Sequence, residues 1–258
     1  MSFNVAILAY CGFVNDLFEI PEETNSPEWA KNPIAVFDLE TTGLDHKESR
    51  IVTACAALID ASGQVIGNDL EWLANPGIPI PVEASSVHGI TTEIAEANGR
   101  DLKEVVEEIV TTLRGYFDAG VPVVAYNAPY DFTILRNHAN LFGLNWPEDL
   151  SPIIDPLVID KKLDRYRSGK RRLEIVAEFY GVKLDDAHNA TADAVAAGQI
   201  AQALAKKFYR ELPETAKELH QLQIGWSKES DLSFADFMHK SGKTDFVPQI
   251  GWPEKPLD

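Results

Sequence analysis

Cysteine is scarce. The 258 residues hold two, Cys11 and Cys55, in no metal-binding or redox spacing. A disulfide framework is not expected, and the cytoplasm is the default compartment. Long apolar runs are absent too, so no segment is expected to span a bilayer and no membrane partner is expected. Residues 3–14 are rather apolar, but no positive segment precedes them and Asp16, Glu19, Glu22 and Glu23 follow. They are expected to be neither signal peptide nor anchor. Positive charge is short: 23 Lys and Arg stand against 40 Asp and Glu, a net charge of -17. Polyanion affinity comes largely from Lys and Arg, so charge alone argues against a nucleic-acid binder. Internal repeats and low-complexity tracts are also missing.

What is present is an ordinary globular balance, 45% hydrophobic and 24% charged, long enough to bury a full core. The charge is unevenly placed. Lys161, Lys162, Arg165, Arg167, Lys170, Arg171 and Arg172 make a basic island with Asp164 as its one acid. Residues 34–40, 50–60 and 65–73 read as an antiparallel meander of three strands. Residues 122–126 and 153–155 read as two further strands. Apolar spacing predicts helices over 101–117, 130–141, 157–167, 171–180 and 191–208, with Thr91 or Thr92 capping a short helical turn. Strands followed by alternating helix and strand imply an α/β fold, a mixed five-stranded sheet flanked by helices. Residues 1–30 are expected to be an N-terminal extension, acidic and proline-punctuated over 21–29. Residues 31–210 are expected to be the main domain. Residues 211–258 are expected to be a C-terminal appendage, with a strand or turn at 221–226 and a short helix over 231–240.

The stretch Ile34-Ala35-Val36-Phe37-Asp38-Leu39-Glu40 ends a strand in two carboxylates. Residues two apart in a strand point to one face, so Asp38 and Glu40 project together. Their mutual repulsion should raise one pKa unless a cation lies between them. Hard divalent cations with oxygen ligands, Mg²⁺ or Mn²⁺, suit such a pair. Asp131 follows a buried strand and the turn Asn127-Ala128-Pro129-Tyr130, where open α/β sheets place ligands. Asp193 lies near the start of an Ala-rich helix, and His188 precedes it by five residues. Each residue alone has an ordinary reading as helix cap, turn or surface group; their combination is more specific.

Together these segments resemble the DnaQ-like, DEDD-type 3′→5′ exonucleases. Asp38-Leu39-Glu40-Thr41-Thr42-Gly43-Leu44 looks like their first motif, and Asn127-Ala128-Pro129-Tyr130-Asp131 like the second. His188-Asn189-Ala190-Thr191-Ala192-Asp193-Ala194 resembles the third, in the histidine subtype. Val87-His88-Gly89-Ile90-Thr91 is similar to a segment of the branch containing the DNA polymerase III epsilon proofreading subunit. The resemblance covers residues 33–209. It implies a ribonuclease H-like fold and hydrolysis with two divalent cations, Mg²⁺ or Mn²⁺. It also implies roles: Asp38, Glu40, Asp131 and Asp193 as metal ligands, His188 as base, Thr41 and Leu44 against the terminal nucleotide. Asn127 would orient the site, and His88 would lie near the substrate strand or serve the structure. Lys170, Arg171 and Arg172 would guide phosphates to the cleft. Where the epsilon-like branch carries a Pro-Asn-Ser-Leu-Asp-like segment, this chain has Gly169-Lys170-Arg171-Arg172-Leu173-Glu174. The implied substrate is a single-stranded 3′ end, with DNA favoured and proofreading or repair the setting. An exoribonuclease of the oligoribonuclease or ribonuclease T kind, and a scaffolding subunit docked on a DNA polymerase, stay open as alternatives.

Overall fold

The structure, a computed structural model, describes residues 25–184 and 189–256. Apolar residues dominate both faces of the first strand, as expected of a strand covered on both sides. That strand, β1 (Ile34–Thr41), follows a short helix, α1 (Glu28–Lys31). The meander continues with β2 (Ile51–Ile59) and β3 (Val65–Asn75). Two short helices, α2 (Val82–His88) and α3 (Thr92–Asn98), come next, and the Thr91 hydroxyl caps α3 by accepting from the Ile94 N–H. A two-residue strand, β4 (Arg100–Asp101), leads into α4 (Leu102–Asp118), where the Asp101 carboxylate caps the first turn. Then come β5 (Val123–Val124), α5 (Pro129–Leu141), β6 (Ile153–Ile154), α6 (Pro156–Leu163) and α7 (Leu173–Phe179). Last are α8 (Ala190–Lys207) and α9 (Ala216–Lys240).

Among the described residues the sheet has six strands in the order β4-β3-β2-β1-β5-β6. The expected five strands are all present. The sixth, β4, pairs in parallel with β3 through only two residues, too short for any periodic signal. β1, β2 and β3 are antiparallel, and β5 and β6 extend the sheet in parallel with β1. Odd-numbered β1 residues Ala35, Phe37 and Leu39 face a core shared with α4 and α5. Even-numbered Ile34 and Val36 face a second core shared with α8. Asp38 and Glu40 continue this even-numbered row, so period two aims both carboxylates toward α8. Small residues let α8 lie close to the sheet. A Cβ built on Gly198 would stand 2.5 Å from both Ile59 and Val36 side-chain carbons.

Two expectations about the ends change. Residues 28–30, read as the end of the proline-punctuated N-terminal extension, lie in helix α1 with Trp29 and Ala30 buried. Within 211–256, helix α9 packs against β6 and α6. The 221–240 stretch lies in the continuous helix α9 rather than a strand or turn followed by a short helix. The cause is chemical: α9 buries His220, Gln223 and Ser227, polar groups that leave no apolar periodicity to read. The His220 Nδ1 accepts from the Ile153 N–H at 3.0 Å, and the Gln223 Nε2 donates to the Ile153 carbonyl at 3.0 Å. These side chains close the open edge of β6, whose backbone groups would otherwise be buried unpaired. Trp252 is buried in the same core as β1 and α5. Among the described residues, no helix is long and apolar enough to cross a membrane. The reading of residues 3–14 falls outside the described residues.

Candidate active site

β1 delivers two acids and α8 a third. Asp38, Glu40 and Asp193 each offer a carboxylate oxygen within 4.8 Å of the others, Asp193 buried and the other two half-buried. Asn189 caps α8 by accepting from the Thr191 and Ala192 N–H groups, which places Asp193 in the first turn. Burial raises the Asp38 carboxyl well above the usual range, and the charges of Asp131, Glu40 and Asp193 add to it. Burial, then Asp193, pushes Glu40 up to about 7. Carboxylates gathered this closely form a set that a hard cation would relieve.

Asp131 enters from the other side. β5 pairs with β1 only as far as Val124, so beyond Val36 the side of β1 away from β2 has no strand partner. The Asp131 carboxylate supplies one, accepting from the Leu39 N–H at 3.0 Å. Burial raises this carboxyl too, opposed by the Leu39 hydrogen bond. One of its oxygens therefore holds the strand that carries Asp38 and Glu40.

The turn before Asp131 is held by a residue that motif reading missed. The Asp155 carboxylate accepts from the N–H groups of Asn127, Ala128 and Leu157, each at 3.0 Å, and from the Trp252 indole at 3.3 Å. Asn127 has a left-handed backbone, φ 64°, and asparagine tolerates it better than most residues. Asn127 thus acts through its backbone to set the entry into α5. The signal for Asp155 was an acid just after a buried Ile-Ile pair, before Pro156.

A cleft of about 520 Å³ opens over the acids, walled by Leu44, Asn127, Tyr130, Arg171 and Arg172 among others. Leu44 is 86% exposed. The Tyr130 hydroxyl, 2.5 Å from the Thr41 hydroxyl and 2.7 Å from the Gly43 carbonyl, pins the turn that presents it. Thr41 is buried, and its hydroxyl also donates to Gly43 at 2.6 Å. His88 lines a neighbouring cavity with Trp72, Asn189 and Thr191 rather than the acid cleft. Its Nδ1 accepts from Ile90, and burial lowers its pKa. His188 lies outside the described residues.

The basic island divides. Arg167 holds both oxygens of buried Asp160, at 3.1 and 3.0 Å, and Arg171 pairs with the same carboxylate. Arg171 also donates to the Asp164 carbonyl at 2.9 Å, and the Tyr180 hydroxyl donates to Asp160 at 2.8 Å. These two arginines knit α6 to the loop before α7. Lys170 and Arg172 stay exposed, and Arg172 joins Arg171 on the cleft wall.

A mixed sheet with acids converging where β1 and β5 end defines the ribonuclease H-like class. A family model described as Exonuclease matches residues 35–201. The chain belongs to that exonuclease family. A DNA polymerase III subunit epsilon-like protein of Rhodobacter capsulatus is 31% identical over 172 residues, 66% of this chain and 23% of that one. A PolC-type DNA polymerase III of Thermotoga maritima is 33% identical over 166 residues, 64% of this chain and 11% of that one. The chain therefore spans a quarter or less of the length of these relatives. Among solved structures, an E. coli exonuclease I complex with single-stranded DNA superposes with TM-score 0.57 at 21% identity, over 70% of this chain and 42% of that one. An exonuclease I structure analysed for processivity gives 0.59 at 20%, over 79% and 46%. These two likenesses are of fold.

Proposed function

We propose that the chain is a metal-dependent 3′→5′ exonuclease acting on single-stranded nucleic acid, DNA in preference, in proofreading or repair. The observation that carries this reading is the convergence of Asp38, Glu40 and Asp193 within 4.8 Å, inside the family-matched region. Asp38, Glu40, Asp131 and Asp193 would hold two divalent cations, Mg²⁺ or Mn²⁺; the donors are all carboxylate oxygens, which suit hard cations. When bound, such ions stabilise charge on the attacking and leaving oxygens of an in-line displacement. The chain's own groups do the rest. Leu44 packs against the terminal base, and Thr41 contributes through its backbone. Arg172 and Lys170 attract the phosphates. His188 accepts a proton from the attacking water, since its ordinary pKa of about 6.5 suits a base near neutrality. The water oxygen bonds to phosphorus, the bond from phosphorus to the 3′ oxygen breaks, and that oxygen takes a proton. The products are a nucleoside 5′-monophosphate and a strand with a new 3′-hydroxyl. A DNA polymerase subunit is the partner class that the relatives' names suggest.

The test is digestion of matched DNA and RNA strands, labelled at either end, with Mg²⁺, Mn²⁺ or EDTA, beside Asp38→Ala. Stepwise shortening from the 3′ end that needs metal and Asp38 is the expected result. The DNA-to-RNA rate ratio reports the substrate. No cleavage of either strand overturns the reading and favours a scaffolding role.

A further inference from the structure

A second groove, about 460 Å³, runs between α6 and α9. Its α6 side carries Lys161, Lys162 and Arg165. Its α9 side carries Trp226, Phe234 and Phe237. Phe234 and Phe237 are 52% and 62% exposed, and their rings stack with centroids 6.4 Å apart and planes 26° apart. Phe246 packs edge-on against Phe234 at 5.4 Å, yet Phe234 and Phe237 both stay more than half exposed, and clustered exposed rings mark interaction sites. Four cations, counting Arg171, line this groove against one carboxylate, Glu229, in a chain of net charge -17. Glu229 pairs with Lys162 at 2.5 Å, whereas Lys161 and Arg165 have no ion pair among the described residues. The groove lies beside the acid cleft, with Arg171 in the wall of both.

We propose that this groove holds the upstream part of the same single strand whose 3′ end lies in the acid cleft. A cationic track with stackable aromatic faces is the chemistry of sequence-tolerant single-strand binding. The shared Arg171 wall puts the groove next to the cleft and favours the strand itself over an acidic peptide, which would have no reason to lie there. α9 lies beyond the 35–201 family match, so this chain supplies the extension from its own C-terminal segment. The inference rests on the nuclease reading of the cleft.

The experiment compares a DNA trimer with a 15-nucleotide strand in Mg²⁺, measuring KM and kcat for wild type, Phe234→Ala/Phe237→Ala and Lys161→Gln/Arg165→Gln. Wild type should bind the longer strand at least about tenfold more tightly. The aromatic pair should lose most of that roughly tenfold gain, because each alanine removes a ring face on which a base stacks. The cation pair should also flatten the dependence of log KM on log salt by about 1.4, from about 0.7 for each neutralised single-strand phosphate. KM for the trimer should change less than twofold. Long-strand KM values that stay within twofold of wild type in both variants overturn the proposal, and point to an occupant other than nucleic acid. Equal losses on both lengths also overturn it, since they mean a structural effect. Wild type that cuts neither length sinks the nuclease reading itself.

Discussion

The Gln223 side-chain carbonyl accepts a hydrogen bond from the Asp155 backbone N–H at 2.7 Å, and both residues are buried. This contact ties helix α9 to the residue whose carboxylate holds the Asn127–Ala128 turn. That turn starts α5, and α5 carries Asp131. The C-terminal helix therefore supports the acid cleft without lining it.

Replacing Gln223 with leucine should show this coupling. Two backbone groups of the β6 edge, the Asp155 N–H and the Ile153 carbonyl, would be left buried and unpaired. Each costs about 1–3 kcal/mol, so urea unfolding should reveal a loss of about 2–6 kcal/mol. The nuclease rate per folded molecule should fall by about 10-fold as the Asp131 turn loosens. A loss under 0.5 kcal/mol by the measure just described would show that α9 merely rests on the sheet (about the scatter of neutral surface changes).

The acid cluster should trade stability for function. Glu40 binds its proton near pH 7 when folded and near 4.5 when unfolded. Between these values the folded state holds more protons, so metal-free protein should become more stable as pH falls from about 7 toward 4.5. Glu40→Gln should remove much of this slope in thermal melts. Added Mg²⁺ should raise Tm more at pH 8 than near pH 5, because protons compete for the same oxygens. Asp38→Asn should stabilise the metal-free fold yet reduce hydrolysis at least about a thousandfold, because several kcal/mol of transition-state stabilisation goes with the metal. A melting temperature independent of pH in this range would contradict the assignment.

The two halves of the basic island should respond differently. Arg167→Ala breaks a bidentate pair with Asp160, whose side chain is fully buried, and should cost about 3 kcal/mol of stability. Arg172 has a side chain 68% exposed and a 4.0 Å contact with Glu174. Arg172→Ala should change stability by less than about 1 kcal/mol while weakening strand binding and its salt dependence. Equal destabilisation by the two substitutions would refute the division.

Two glycines inside helices should behave in opposite ways. Gly198→Val in α8 would drive a side chain into Ile59 and Val36, and overpacking of this kind costs about 1–3 kcal/mol or more. Gly225 in α9 has no neighbour within 4 Å of a built Cβ. Gly225→Ala should stabilise by up to about 1 kcal/mol through helix propensity. Differential scanning calorimetry separates the two by the sign of the Tm change.

The sequence by itself determined the meander, the amphipathic helix α4 and the three acidic motifs, because their patterns are local. Period two sets Asp38 and Glu40 on one face whatever surrounds them, and small residues allow α8 to approach the sheet. Only the tertiary structure decided the rest. The edge of β6 is closed by His220 and Gln223, separated from Ile153 by 67 and 70 residues, and no local pattern marks polar residues destined for burial. Arg167 and Arg171 look like surface charge in sequence, yet Asp160 draws them inward, since a buried carboxylate must be paired. Asp155 likewise gains its meaning from Asn127 and Ala128 across the fold. Hydrophobic periodicity is written along the chain; partners for buried polar groups are chosen across space.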